Sequence, residues 1–158
     1  MDMESRKMLS YLIRSQRVAS LGTLRGGAPF VSLTPFSPAA DYSSFSIHIS
    51  RLAYHTRNIL ADSRVSLMIA ETDTGERDPL TLARVSIQGR AVEVPATGSD
   101  YEGIKSSYLA RHPQSAFNFQ CGDFALFSIR ASTARYVAGF GKIFDLTIED
   151  FTRTSIEK

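Results

Sequence analysis

Ser50, Arg51, His55 and Thr56 fall within one short stretch, residues 47–68, IHISRLAYHTRNILADSRVSLM, and their side chains have the chemistry of an anion cradle. The stretch reads as strand, loop, short helix and strand. A β-type run over 45–49 leads into Ser50 and Arg51, after which Leu52, Thr56, Ile59 and Leu60 share one helical face. Ser50 is placed to cap that helix. The first N–H groups of a helix lack partners and carry the positive end of its dipole, so donors gathered there suit a phosphate. A serine cap on a solvated surface helix has the same pattern, and these residues alone leave both readings open.

Other reactive residue types are sparse. Cys121 is the single cysteine, so no intrachain disulfide framework exists. His48, His55 and His112 have neither HxH nor HExxH spacing, which predicts no metal site. Tyr108, Arg111 and His112 end a predicted helix and read either as a dipole-compatible cap or as the lip of a substrate entrance.

The elements that must position these residues follow from periodicity. Met8, Leu9, Leu12 and Ile13 give an amphipathic helix over 4–16. A hairpin follows, 18–24 and 28–36, with Gly26 and Gly27 at its turn. A strand over 44–49, the short helix and a strand over 64–70 come next. Residues 71–79 (ETDTGERDP) form a polar loop. The longest β run covers 80–94, with Gly89 marking a bulge or bend. A helix over 100–111 stops at His112-Pro113, since the residue before proline is pushed out of the α region. Two strands, 124–130 and 132–139, meet at a short turn. Glycines then flank Phe140, and the chain from 149 onward reads as a loosely held tail. Six or seven mostly antiparallel strands without βαβ alternation predict a mainly β fold, a small Greek-key-like barrel with short flanking helices. One domain, 1–148, is expected, with a C-terminal tail over 149–158.

Bulk composition narrows the partners. Eighteen Lys and Arg against sixteen Asp and Glu are spread along the chain, so no basic stripe marks a nucleic-acid surface. No run approaches a membrane span and no secretory leader is evident, so a reducing, cytoplasmic setting is expected. A barrel of this size is filled by its own side chains, which places any sizeable ligand outside it or between two copies.

The words SQRVASLGT, GGAPFVSLTPF, ISRLAYHTRNILADSRVSL, LARVSIQGRAVEV, YLARHP, GDFALFSI and ARYVAGFGKIF resemble, in this order, the pyridoxamine 5'-phosphate oxidase-like FMN-binding split barrels. Within them the likeness is to the subgroup related to haem-utilisation proteins, and it spans about residues 8–146. The resemblance implies a split β-barrel homodimer with FMN at the interface, and an FMN-dependent oxidoreductase acting on a small molecule. Its cofactor-binding residues would be Ser50, Arg51, His55, Thr56 and Asn58 around the phosphate, with His55 where family oxidases use lysine. Leu33 and Thr34, beside Pro35, would present backbone to the ring edge, and Arg84 would reach the ring or the phosphate. A bound dianion favours imidazolium at His55, so flavin affinity is expected to rise as pH falls. Phe117, Phe119, Phe124, Tyr136, Phe140 and Phe144 are material for core and dimer interface. The arginines that grip pyridoxal phosphate in vitamin oxidases have no counterpart in GFGKIFDLTIED. The alternatives are a haem-binding protein of the same fold or a cofactor-free regulatory module. Against haem stands the lack of any histidine after His112, where haem-degrading relatives place their iron ligand.

Overall fold

The computed structural model describes residues 1–156. Helix α1, Met3–Ser15, starts at Asp2, whose carboxylate accepts from the Ser5 N–H at 2.8 Å, and it buries Leu9, Leu12 and Ile13. Strands β1, Val18–Arg25, and β2, Ala28–Pro35, form the expected hairpin. Its turn needs φ of 57° and 83° at Gly26 and Gly27, which glycine adopts without a Cβ clash. Then come β3, Ser37–Pro38, β4, Ser44–Ser50, helix α2, Tyr54–Ala61, and β5, Arg64–Ala70. They are followed by β6, Arg84–Glu93, helix α3, Tyr101–Arg111, β7, Phe124–Val137, β8, Ile143–Thr147, and helix α4, Ile148–Ile156.

Every strand pairing is antiparallel, in the order β2-β1-β5-β6-β7-β4-β3, with β8 also on β7. The hydrogen-bonded path begins at β2 and ends at β3, so the sheet curls into a half-barrel without closing its ladder: a mainly β split barrel with short flanking helices. Its inner face carries Leu21, Phe45, Ile47, Leu67, Val85, Ile87, Phe127, Ile129 and Tyr136, all fully or nearly fully buried. Among the described residues no helix is long and apolar enough to cross a membrane.

Four expectations change. The run over 80–94 yields strand only from Arg84, because Asp78 accepts from the Leu80 N–H at 2.9 Å and Pro79 starts a short 3₁₀ turn. Residues 124–139 are one strand, not two. The pairing shifts between Gln88 and Gly89, leaving Ser132 as the extra residue of a bulge, its hydroxyl donating to the Gln88 carbonyl at 3.0 Å. A β-carbon at position 89 would run into the Arg130 carbonyl oxygen, which accounts for the glycine. Ser50 does not cap α2. It closes β4, and Ala53 stands at the N-cap with no side-chain hydrogen bond. The tail from 149, finally, is the helix α4, with Phe151 and Thr154 fully buried and Phe151 edge-on to Phe45 at 6.4 Å. Asp150 accepts from both the N–H and the hydroxyl of Thr147, at 2.8 and 2.9 Å, and fixes the helix start. Residues 157 and 158 of the expected tail lie outside the described residues.

Candidate functional site

The stretch at 50–58 does come together, but the donors of Ser50, Arg51, Thr56 and Asn58 are already engaged. Ser50 donates to Asp123 at 2.9 Å, and Thr56 donates to the Ser50 carbonyl at 2.6 Å. Arg51 pairs with Glu93 through both guanidinium nitrogens, a contact that raises its pKa. Asn58 is buried and donates to Thr23 at 3.0 Å. Burial lowers the pKa of His55, which is therefore a neutral imidazole at pH 7. An incoming phosphate would meet Asp123 and Glu93 beside it, with the exposed Arg57, set against the Tyr54 ring, as the one cation of the stretch without a carboxylate among the described residues.

Leu33, Thr34 and Arg84 lie elsewhere. Thr34 faces inward, buried, and donates to the Pro35 carbonyl at 3.1 Å. Leu33 is 70% exposed on the outward face of β2. Arg84 shares the outward face at the far end of β6, its guanidinium held by the carbonyls of Leu80 and Leu82 at 3.3 and 2.9 Å.

That outward face has a regular plan, because cross-strand partners point to the same side of a sheet. One row runs Leu33, Ser20, Met68, Ser86, Arg135 across β2, β1, β5, β6 and β7. The next runs Val31, Gly22, Ser66, Gln88, Thr133. Below them Arg64, Arg90 and Arg130 stand directly opposite one another on β5, β6 and β7. Small side chains therefore floor the centre around Met68, exposed Val31 and Leu33 form an apolar flank on β2, and arginines stand at both ends. Two grooves, about 760 and 550 Å³, open on this face and share Ser66 and Gln88 in their walls. Each lies within the size range of small-molecule sites.

No histidine lines either groove. His48 is buried beneath Phe119, stacked at 3.6 Å, and burial pulls its pKa down to about 4. His112 donates from Nε2 to the Phe36 carbonyl at 2.8 Å, which assigns the proton to that nitrogen. Arg111 donates to the Ile13 and Gln16 carbonyls and so closes α1 rather than its own helix. Tyr108 and His112 are also buried, so these three residues serve packing, which is neither the cap of their own helix nor the entrance lip that the sequence suggests. Among the described residues no group of three or more His, Cys, Asp or Glu is placed to hold a metal ion.

Comparison with known proteins follows from this geometry. The family described as CREG, beta-barrel matches residues 3–153, almost the whole chain.

The chain belongs to the CREG β-barrel family.

Among relatives of this CREG β-barrel chain, the chloroplastic haem oxygenase HOZ of Arabidopsis thaliana is 38% identical over 120 residues, covering 75% of this chain and 34% of its own length. Haem oxygenase HutZ of Vibrio cholerae is 25% identical over 125 residues, covering 78% of this chain and 70% of its own. The chain thus spans about a third of the first relative. A solved haem-binding protein of Mycobacterium smegmatis superposes with a TM-score of 0.85 at 24% identity, over 97% of this chain and 62% of that one, which establishes the shared fold. The split barrel is homologous to haem-utilisation proteins, as the sequence resemblance implied.

These findings overturn the flavin expectation. The relatives that carry the homology are haem oxygenases, so FMN as cofactor, and with it the FMN-dependent oxidoreductase reading, gives way to the haem alternative. The collapsed donor set at 50–58 agrees on physical grounds, since the carboxylates of Asp123 and Glu93 hold Ser50 and Arg51. What sequence reasoning missed is the arginine row. Each of its members is an ordinary strand residue, and only the strand register brings them side by side.

Proposed function

We propose that the CREG β-barrel chain is a haem-binding protein of haem utilisation, with the macrocycle lying along the outward face of β1, β5, β6 and β7. The observation that carries this is the plan of the face: a floor of the small or uncharged side chains of Gly22, Ser66 and Gln88, an apolar flank, and cationic ends. Haem is planar and apolar with anionic propionates at one edge, so the floor and the arginines answer its two chemistries separately. The haem-oxygenase names of two relatives support the same ligand. Bound haem would supply the redox chemistry, and the chain would orient it and limit access to it. His48 and His112 are committed to packing and His55 lines neither groove, so the described residues offer the grooves no imidazole for the iron.

Two copies paired through this face would cover Val31 and Leu33, which are 66% and 70% exposed, and would put the grooves at the seam. Titration of the purified protein with haemin tests the reading. A Soret band that shifts and saturates at a stoichiometric ratio is expected, without a histidine-type spectrum and unchanged in His48→Ala or His112→Ala. Absence of a saturable spectral change would reject haem binding, and loss of the complex in either histidine variant would reject the mode of binding.

A further inference from the structure

Arg64, Arg90 and Arg130 are direct cross-strand neighbours on three adjacent strands, and like charges so placed repel. The chain neutralises only part of this row. Asp62 pairs with Arg64 and also lies within the field of Arg90, so three guanidiniums share one carboxylate and two positive charges remain. Arg90 has a hydrogen bond to the Ser63 hydroxyl at 3.1 Å and, among the described residues, no acid of its own. Arg130 is exposed and makes no side-chain hydrogen bond or ion pair among the described residues. Its position is also built. The bulge at Ser132 and the close approach of Gly89 to the Arg130 backbone fix where β7 passes β6, and all three arginines line the same groove of about 760 Å³.

We propose that this row is a seat for a dicarboxylate, with Arg130 the residue that grips one carboxylate and Arg90 the other, and Arg64 held back by Asp62. The inference rests on the haem reading and deepens it: the groove selects tetrapyrroles bearing free propionates, whose two charges match the two left uncompensated in the row. A guanidinium offers two parallel N–H donors to a carboxylate, and the pairing strengthens as the macrocycle excludes water.

Haemin and haemin dimethyl ester, titrated in parallel into the full protein and read at the Soret band, test it. The ester keeps the iron and the ring but has no carboxylate. The wild type should bind haemin about tenfold more tightly than the ester, a difference of about 1.4 kcal/mol. Arg130→Gln, which leaves Arg90 to grip one propionate, should lower the preference to about threefold, and Arg90→Gln with Arg130→Gln should bring haemin affinity down to about that of the ester. The double change Asp62→Asn, Arg64→Gln, which removes an internal pair and leaves the two charges of the row, should retain the preference. Equal affinity of the wild type for haemin and ester, or a full preference that survives in the Arg90→Gln, Arg130→Gln double variant, would overturn the seat while leaving haem binding intact. Failure of the wild type to bind either compound would reject the haem reading itself.

Discussion

The nearest atoms to a β-carbon added at Gly22 would be those of Ser66, at 3.5 and 3.6 Å, which is ordinary van der Waals contact. The fold does not require glycine there, and a strand glycine costs roughly 0.5–1 kcal/mol against alanine. Its use lies in the groove floor. Gly22→Leu should therefore keep or raise Tm, measured by thermal unfolding, while weakening haemin at least about tenfold; a variant that binds haemin as the wild type does would clear the floor of any role. His48 gives a second residue-scale prediction. Burial depresses its pKa from 6.5 to about 4, so the unfolded chain binds the proton more readily than the folded one. Its contribution to stability is fully present above pH 6.5 and is lost as pH falls toward 4, by about 3 kcal/mol in all. Denaturant unfolding of wild type and His48→Gln at pH 7.5 and 4.5 should show a smaller acid loss in the variant. Equal losses would mean that other groups carry the acid sensitivity.

At the scale of elements, α4 and β7 do the most to finish the barrel. Phe151 brings a fully buried ring from α4 against Phe45, and the hydroxyl of the buried Thr154 donates to the Asp150 carbonyl at 2.8 Å. Phe151→Ala should cost about 3–5 kcal/mol, read from the urea midpoint at constant slope. A loss below about 1 kcal/mol would show the helix to be a loose appendage. The signal for this helix was in the sequence: Thr147 and Asp150 stand at capping-box spacing ahead of Phe151. The long polar end nevertheless reads as a tail, because one buried aromatic is too few to set a period. The β7 bulge was half legible. Gly89 announced it, yet the extra residue is Ser132 on the opposite strand, and pairing alone decides which strand bulges.

Over the whole molecule the formal net charge is only +2, but its distribution is uneven. Arg51, Arg77 and Arg135 each have a carboxylate of their own, whereas the row at Arg64, Arg90 and Arg130 does not balance. Pairing of two copies over the outward face predicts a dimer in sedimentation equilibrium at micromolar concentration. The double variant Val31→Asp, Leu33→Asp should be monomeric with an unchanged far-UV spectrum, since both side chains are already outside the core; a variant that stays dimeric would move the seam to another surface. Local periodicity and turn chemistry in the sequence determined that this chain is a mainly β barrel with flanking helices, because alternation, glycine turns and proline stops act over a few neighbouring residues. Those same residues suggested an anion site at 50–58, and there the inference stopped being local. Whether Ser50 and Arg51 are free donors depended on Asp123 and Glu93, and the arginine row depended on a register set by three strands and a bulge. Charges that are distant along the chain become neighbours only when the sheet is assembled, and so the tertiary structure alone decided which cations stand together.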